Sequence, residues 1–159
     1  NTTSFSGVTS VSLPVNTFSA TYDMYQIIVE ITSSSATDYL TARLRAAGSD
    51  NTTSNYSSNL FSMSHTTTAA NNNGGGISQT SFNRFGYVST GSKLFLSIVL
   101  FNPFKSSQTS YVTQGTPIVN DETWILGGRF NATTSFDSLS LIPLSGNITG
   151  NIYAYGINK

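Results

Sequence analysis

Few side chains in this sequence could do chemistry, and their spacing limits what that chemistry could be. The one histidine, His65, could act as a general base only beside an orienting acid and a nucleophile, and no motif around it supplies either. Asp121-Glu122 set two carboxylates side by side. Adjacent side chains diverge on a strand, so this pair could not work as acid and base on one bond, and EF-type calcium spacing is absent. A solvated turn is the simpler reading. Asp50-Asn51 with Thr52-Thr53-Ser54-Asn55 could form a polar ion- or ligand-binding loop, and a plain turn explains it as well. Cysteine is absent, which removes disulfides and thiolate metal sites. No catalytic residue, metal site or cofactor is expected.

Aromatic rings are the other source of recognition, because the apolar face of a sugar packs on them. Tyr56, Phe104 and Tyr111 lie in polar stretches, as does His65, and these four are the candidates for glycan contact. Aromatics make up 12% of the chain, so most must belong to a core, and Trp124 is expected there. Asn-x-Ser/Thr triplets start at Asn1, Asn51, Asn55, Asn131 and Asn147. In a chain this rich in Asn, Ser and Thr they follow from composition and do not demonstrate glycosylation.

Composition bounds the partners. At 159 residues the chain is expected to be a single domain over 1–159, long enough to bury a core without staples. Charged residues are 9% of it, seven positive against seven negative, where ordinary domains carry about a quarter. Serine and threonine, roughly 30% of the chain, provide the solvation instead. Dispersed, balanced charge lacks the footprint for nucleic acid or for a polybasic membrane patch. No apolar run reaches the length of a spanning helix, and no signal peptide is visible. The start at Asn1 rather than Met leaves processing or a fragment open. Near-zero net charge gives little colloidal repulsion, which suits a chain that normally exists as a fixed oligomer, outside a cell or in a crowded assembly.

The elements that must position these residues read as strands. Tyr22 to Ile31 places Tyr25, Ile27, Val29 and Ile31 on one face, the period-two pattern of a central strand. Leu40 to Arg45 points Leu40, Ala42 and Leu44 inward and both arginines outward, and the two segments read as a hairpin. Residues 1–17, with Pro14, suit an N-terminal arm or edge strand. Asn51 to Gly76 reads as a long irregular section with a short strand at Leu60 to Met63, and the Asn71 to Gly76 run as an exposed loop tip. Another strand is expected over Phe82 to Val88. Leu94 to Phe101 is nearly continuous in apolar residues, which implies cover on both sides: the sheet on one, a neighbouring subunit on the other. Lys105 to Gln114 reads as a second polar excursion. In Trp124 to Phe130 the pair Gly127-Gly128 signals a bulge or a close backbone approach. Phe136 to Leu144 and Gly150 to Ile157 complete eight or nine strands with no helical period. The expected fold is all-β, a two-sheet antiparallel sandwich, with the jelly roll as first choice.

Five pieces in this order carry a resemblance: Tyr22-Asp23-Met24-Tyr25-Gln26-Ile27; Leu40 to Arg45 with Gly48; Leu94 to Pro103; Gly127-Gly128-Arg129-Phe130 followed by Phe136-Asp137-Ser138-Leu139; and Gly150 to Ile157. Together they resemble the β-sandwich head domains of tailed-bacteriophage fibres and related capsid-decorating proteins. In those chains a Tyr-Asp-x-Tyr opening leads into the first long strand, and a Gly-x-Ile-x-x-Tyr-Gly-Ile strand ends the domain. The resemblance spans most of the chain from about Phe18 onward. It implies a virion structural protein, a homotrimer at the particle surface, touching other virion proteins or a host surface glycan, with no active site. The collagen-like or coiled-coil shaft of many fibre heads is missing, so capsid and tail locations both remain open. A carbohydrate-binding, lectin-like module of another lineage is the alternative. A glycan depolymerase would need two converging carboxylates, and the seven acids are scattered.

Overall fold

The computed structural model describes residues 1–64, 66–67, 70–117 and 122–158, and for residues 70–75, 116–117 and 122 the backbone alone. The described residues form thirteen strands and no helix. In chain order the first six are β1 (Thr2–Val8), β2 (Val11–Ser12), β3 (Met24–Ser34), β4 (Asp38–Ala46), β5 (Ser49–Asp50) and β6 (Tyr56–Ser64). Then come β7 (Ala70–Gln79), β8 (Phe82–Val88), β9 (Leu94–Phe101) and β10 (Thr109–Pro117). The last three are β11 (Glu122–Phe130), β12 (Ser138–Pro143) and β13 (Ile148–Ile157).

Two antiparallel sheets share them. The larger runs β1-β13-β3-β9-β10-β11-β6-β7, and the smaller runs β2-β12-β4-β5 with β8 also paired to β4. Period-two patterning decides which side chains meet between the layers. On β3, Tyr25, Ile27, Val29 and Ile31 are buried; on β9, so are Leu94, Leu96, Ile98 and Leu100. Leu40, Ala42 and Leu44 of β4 and Leu139 and Leu141 of β12 close on them from the smaller sheet, forming one core. The strands expected at these segments, at β8 and at β13 are present. The central strand is interior, flanked by β13 and β9.

Pairing establishes a two-sheet sandwich. It does not establish the jelly roll, whose eight strands divide into two Greek keys, since here one sheet alone has eight strands and β9-β10-β11 form a simple meander. Three local expectations change. The segments Tyr22 to Ile31 and Leu40 to Arg45 are not a hairpin: β3 bonds to β13 and β9, β4 to β12 and β8, and the short link between them crosses from one sheet to the other. Both segments have an apolar face, and facing each other across the core buries both; pairing edge to edge would not. The Asn71 to Gly76 run is not a loop tip but lies in β7, with Asn72 opposite Phe61 and Gly75 opposite Asn59. It lies at the edge of the larger sheet, where a strand is held by its backbone ladder to a single neighbour, here β6. Likewise the polar excursion after Lys105 contains β10, a central strand.

Candidate functional site

The three glycan candidates among the described residues do not offer a shared ring face. Tyr56 is fully buried and Tyr111 only 2% exposed, in a chain of ring contacts that fills the core. Tyr56 lies 4.8 Å from Phe82 and 4.9 Å from Phe130, and Tyr111 lies 4.6 Å from Phe82 and 4.8 Å from Phe85. A ring so enclosed offers no face to a sugar, and this corrects the expectation for both. Each stands on an inward-facing position of a sandwich strand, β6 or β10, that its polar neighbours had disguised. Phe104 is half-buried against the core in the link after β9. His65 lies outside the described residues, as does Asp121; Glu122 is described by its backbone alone. Trp124 is buried, as expected.

The buried phenols have different surroundings. Tyr56 Oη donates to the Asn51 carbonyl at 2.8 Å and accepts from the Leu44 amide at 3.1 Å, tying β6 to β4 and to the residue that follows β5. Tyr111 Oη has Ser58 Oγ as its polar neighbour, and neither makes a hydrogen bond of full geometry. Burial pushes both phenols well above the ordinary tyrosine range. Gly128 explains the Tyr111 position. It stands between Tyr111 and Ser58 in the ladder, and a Cβ there would come within 2.5 Å of both the Tyr111 ring and the Ser57 carbonyl. The close approach expected at the glycine pair is present at Gly128. The bulge is absent, since both ladders run through without a register shift.

Two surface features went unread in the sequence. On the outer face of the smaller sheet, Arg45 Nη1 donates to Ser12 Oγ at 2.7 Å, Asp50 Oδ1 at 2.7 Å and Ser140 Oγ at 2.8 Å, while Nη2 donates to the Gly48 carbonyl. Ser140 in turn donates to Asp50 at 2.7 Å. This network pins β2, β12, β4 and the β5 turn, so the Asp50 loop is structural. At the other end of β4, Tyr39 and Tyr87 meet edge-on at 5.2 Å with the Arg84 guanidinium 4.7 Å over the Tyr39 ring.

The outer face of the larger sheet is of another kind. One register row runs Phe61, Ile125, Gln114, Ser97, Ile28, Tyr153 across β6, β11, β10, β9, β3 and β13. The next runs Asn59, Gly127, Val112, Val99, Gln26, Tyr155. Phe95 and Phe101 flank these rows on β9, and Met63 on β6. Phe95 is 49% exposed, Ile125 48%, Phe61 46%, Met63 48% and Tyr155 54%. Polar groups among them bond to one another, as Gln26 Nε2 does to Ser97 Oγ at 2.8 Å. Among the described side chains of this sheet two are charged, Glu30 and Arg129. Apolar rings and branches across six strands form a patch of the kind that marks an interaction surface. Its signal in the sequence was the near-continuous apolar run of β9. No protein-family model, curated protein or solved structure matches this chain.

Proposed function

We propose that this chain is a structural subunit of a virion, of the tailed-bacteriophage fibre-head or capsid-decoration type, that works as an oligomer, a homotrimer, at the particle surface. One observation carries the oligomer: the outer face of the larger sheet exposes phenylalanine, isoleucine, methionine and valine side chains in register on a chain with 9% charged residues. A sandwich working alone gains nothing by leaving such a face in water, whereas one packed against copies of itself gains the burial. The virion assignment rests on the order of segments that resembles fibre heads and on the terminal Gly150 to Ile157 strand. On this reading the chain is not an enzyme, and its contacts are other virion proteins and a host surface glycan. Immunogold labelling of intact particles from the source tests it: label at a fixed capsid or tail position is expected, and label confined to particle-free lysate would overturn it.

A carbohydrate-binding module is the second reading, favoured by the half-buried Tyr39–Tyr87 pair and the Arg84 above it. It predicts saturable glycan binding by a monomer that is lost in Tyr39→Ala while the far-ultraviolet spectrum is kept. Equal binding by the variant would remove this pair from consideration.

A further inference from the structure

We infer that the outer face of the larger sheet is the seam between copies of this chain, packed so that Arg129 of one copy meets Glu30 of the next. The inference rests on the oligomeric reading above and names the surface that reading requires.

Size supports another copy as the occupant. Six strands about 4.8 Å apart, over the roughly 20 Å from Phe95 to Phe101, give a face of about 600 Å². A standard protein interface takes about 800 Å² from each partner. Charge supports it as well. Glu30 lies opposite Phe95 at one end of β9; Arg129 lies opposite Ser110, whose other neighbour is Phe101 at the far end. The two therefore occupy opposite corners of the block β3-β9-β10-β11, about 25 Å apart by strand spacing and rise, too far to pair within one chain. Opposite signs at opposite corners are self-complementary. In a closed three-copy ring the β11–β6 half of one copy packs on the β3–β13 half of the next and sets each Glu30 against the neighbouring copy's arginine. Between the corners lie Val112, Val99, Ile125 and Ile28, uncharged and able to meet their own kind. A basic or acidic partner would find no net charge here to answer its own.

Sedimentation equilibrium of the full chain and its variants between 1 and 100 μM, in order of magnitude, tests this. Val112→Lys at the centre of the face is expected to weaken assembly at least tenfold, while Leu144→Lys, on an exposed turn residue off this sheet, leaves the mass unchanged. Glu30→Arg and Arg129→Glu should each weaken assembly several-fold, and the double variant should recover most of the loss. If the wild type assembles and a folded Val112→Lys assembles equally well, the seam lies elsewhere and the oligomeric reading survives without it. If Val112→Lys fails to fold, the charge reversals decide: recovery in the double variant supports the seam, and no recovery overturns it. A wild type that stays monomeric throughout overturns both.

Discussion

Tyr56 and Tyr111 show how little residue type says about role. Both are tyrosines in polar surroundings, both are buried, and they differ in what the hydroxyl does. Removing the Tyr56 hydroxyl leaves the Asn51 carbonyl and Leu44 amide without their partner, so Tyr56→Phe should cost about 1–3 kcal/mol. Tyr111→Phe removes a buried hydroxyl with no bond of full geometry and should fall within about 0.5 kcal/mol of the wild type. Urea denaturation of the two variants checks the contrast. The same burial fixes the alkaline limit. Both phenols stay protonated in the folded state above the range where an unfolded tyrosine, near 10, ionises. Their contribution to stability is therefore fully present below that pH and is lost progressively as pH rises from there toward the raised native values. Absorbance at the phenolate band should show part of the tyrosine titration appearing only together with loss of the folded circular dichroism. Full ionisation of all eight tyrosines in a folded protein would contradict this.

At the scale of the element, the glycine pair on β11 separates space from sequence. Gly128→Ala drives a Cβ into the Tyr111 ring and the Ser57 carbonyl, while at Gly127 the nearest atom is the Tyr111 carbonyl at 3.6 Å, an ordinary contact. Thermal unfolding should show Gly128→Ala destabilised by about 1–3 kcal/mol and Gly127→Ala nearly unchanged. Among the strands legible in the sequence, β3, β4, β12 and β13 showed alternating apolar residues and β9 a near-continuous apolar run, while β8 and β11 were also read. A period of two is dictated by the pleat and needs no tertiary context. What the pattern hid depended on neighbours. β7 is a strand because β6 presents a ladder beside it, and nothing in Asn71 to Gly76 announces that. β6 and β10 carry serine and threonine at inward positions, as with the buried Ser58, Ser62, Thr109 and Thr113, so their alternation looks polar throughout. The partition of β3 and β4 between two sheets is likewise a matter of long-range pairing. The site was less legible still. Individual rings were visible in the sequence, but whether a ring points into the core or out of it turns on strand parity in segments whose strands were unread. The apolar outer face exists only once six strands from distant parts of the chain are laid in register.

For the whole molecule, the two outer faces differ in a way that a monomer does not explain. The outer side of the smaller sheet carries a largely covered, mutually bonded network of arginine, aspartate and serines; the larger turns out aromatic and branched side chains with a charge at two opposite corners. Balanced formal charge, seven against seven, leaves little repulsion to hold copies apart. The central claim is that this chain is built to pack against itself through that larger face, and the mass of the wild-type chain in solution tests it most directly. Light scattering on the eluting peak at micromolar concentration should give three times the 17.0 kDa of the chain. A peak that stays at 17.0 kDa across the concentration range would contradict it.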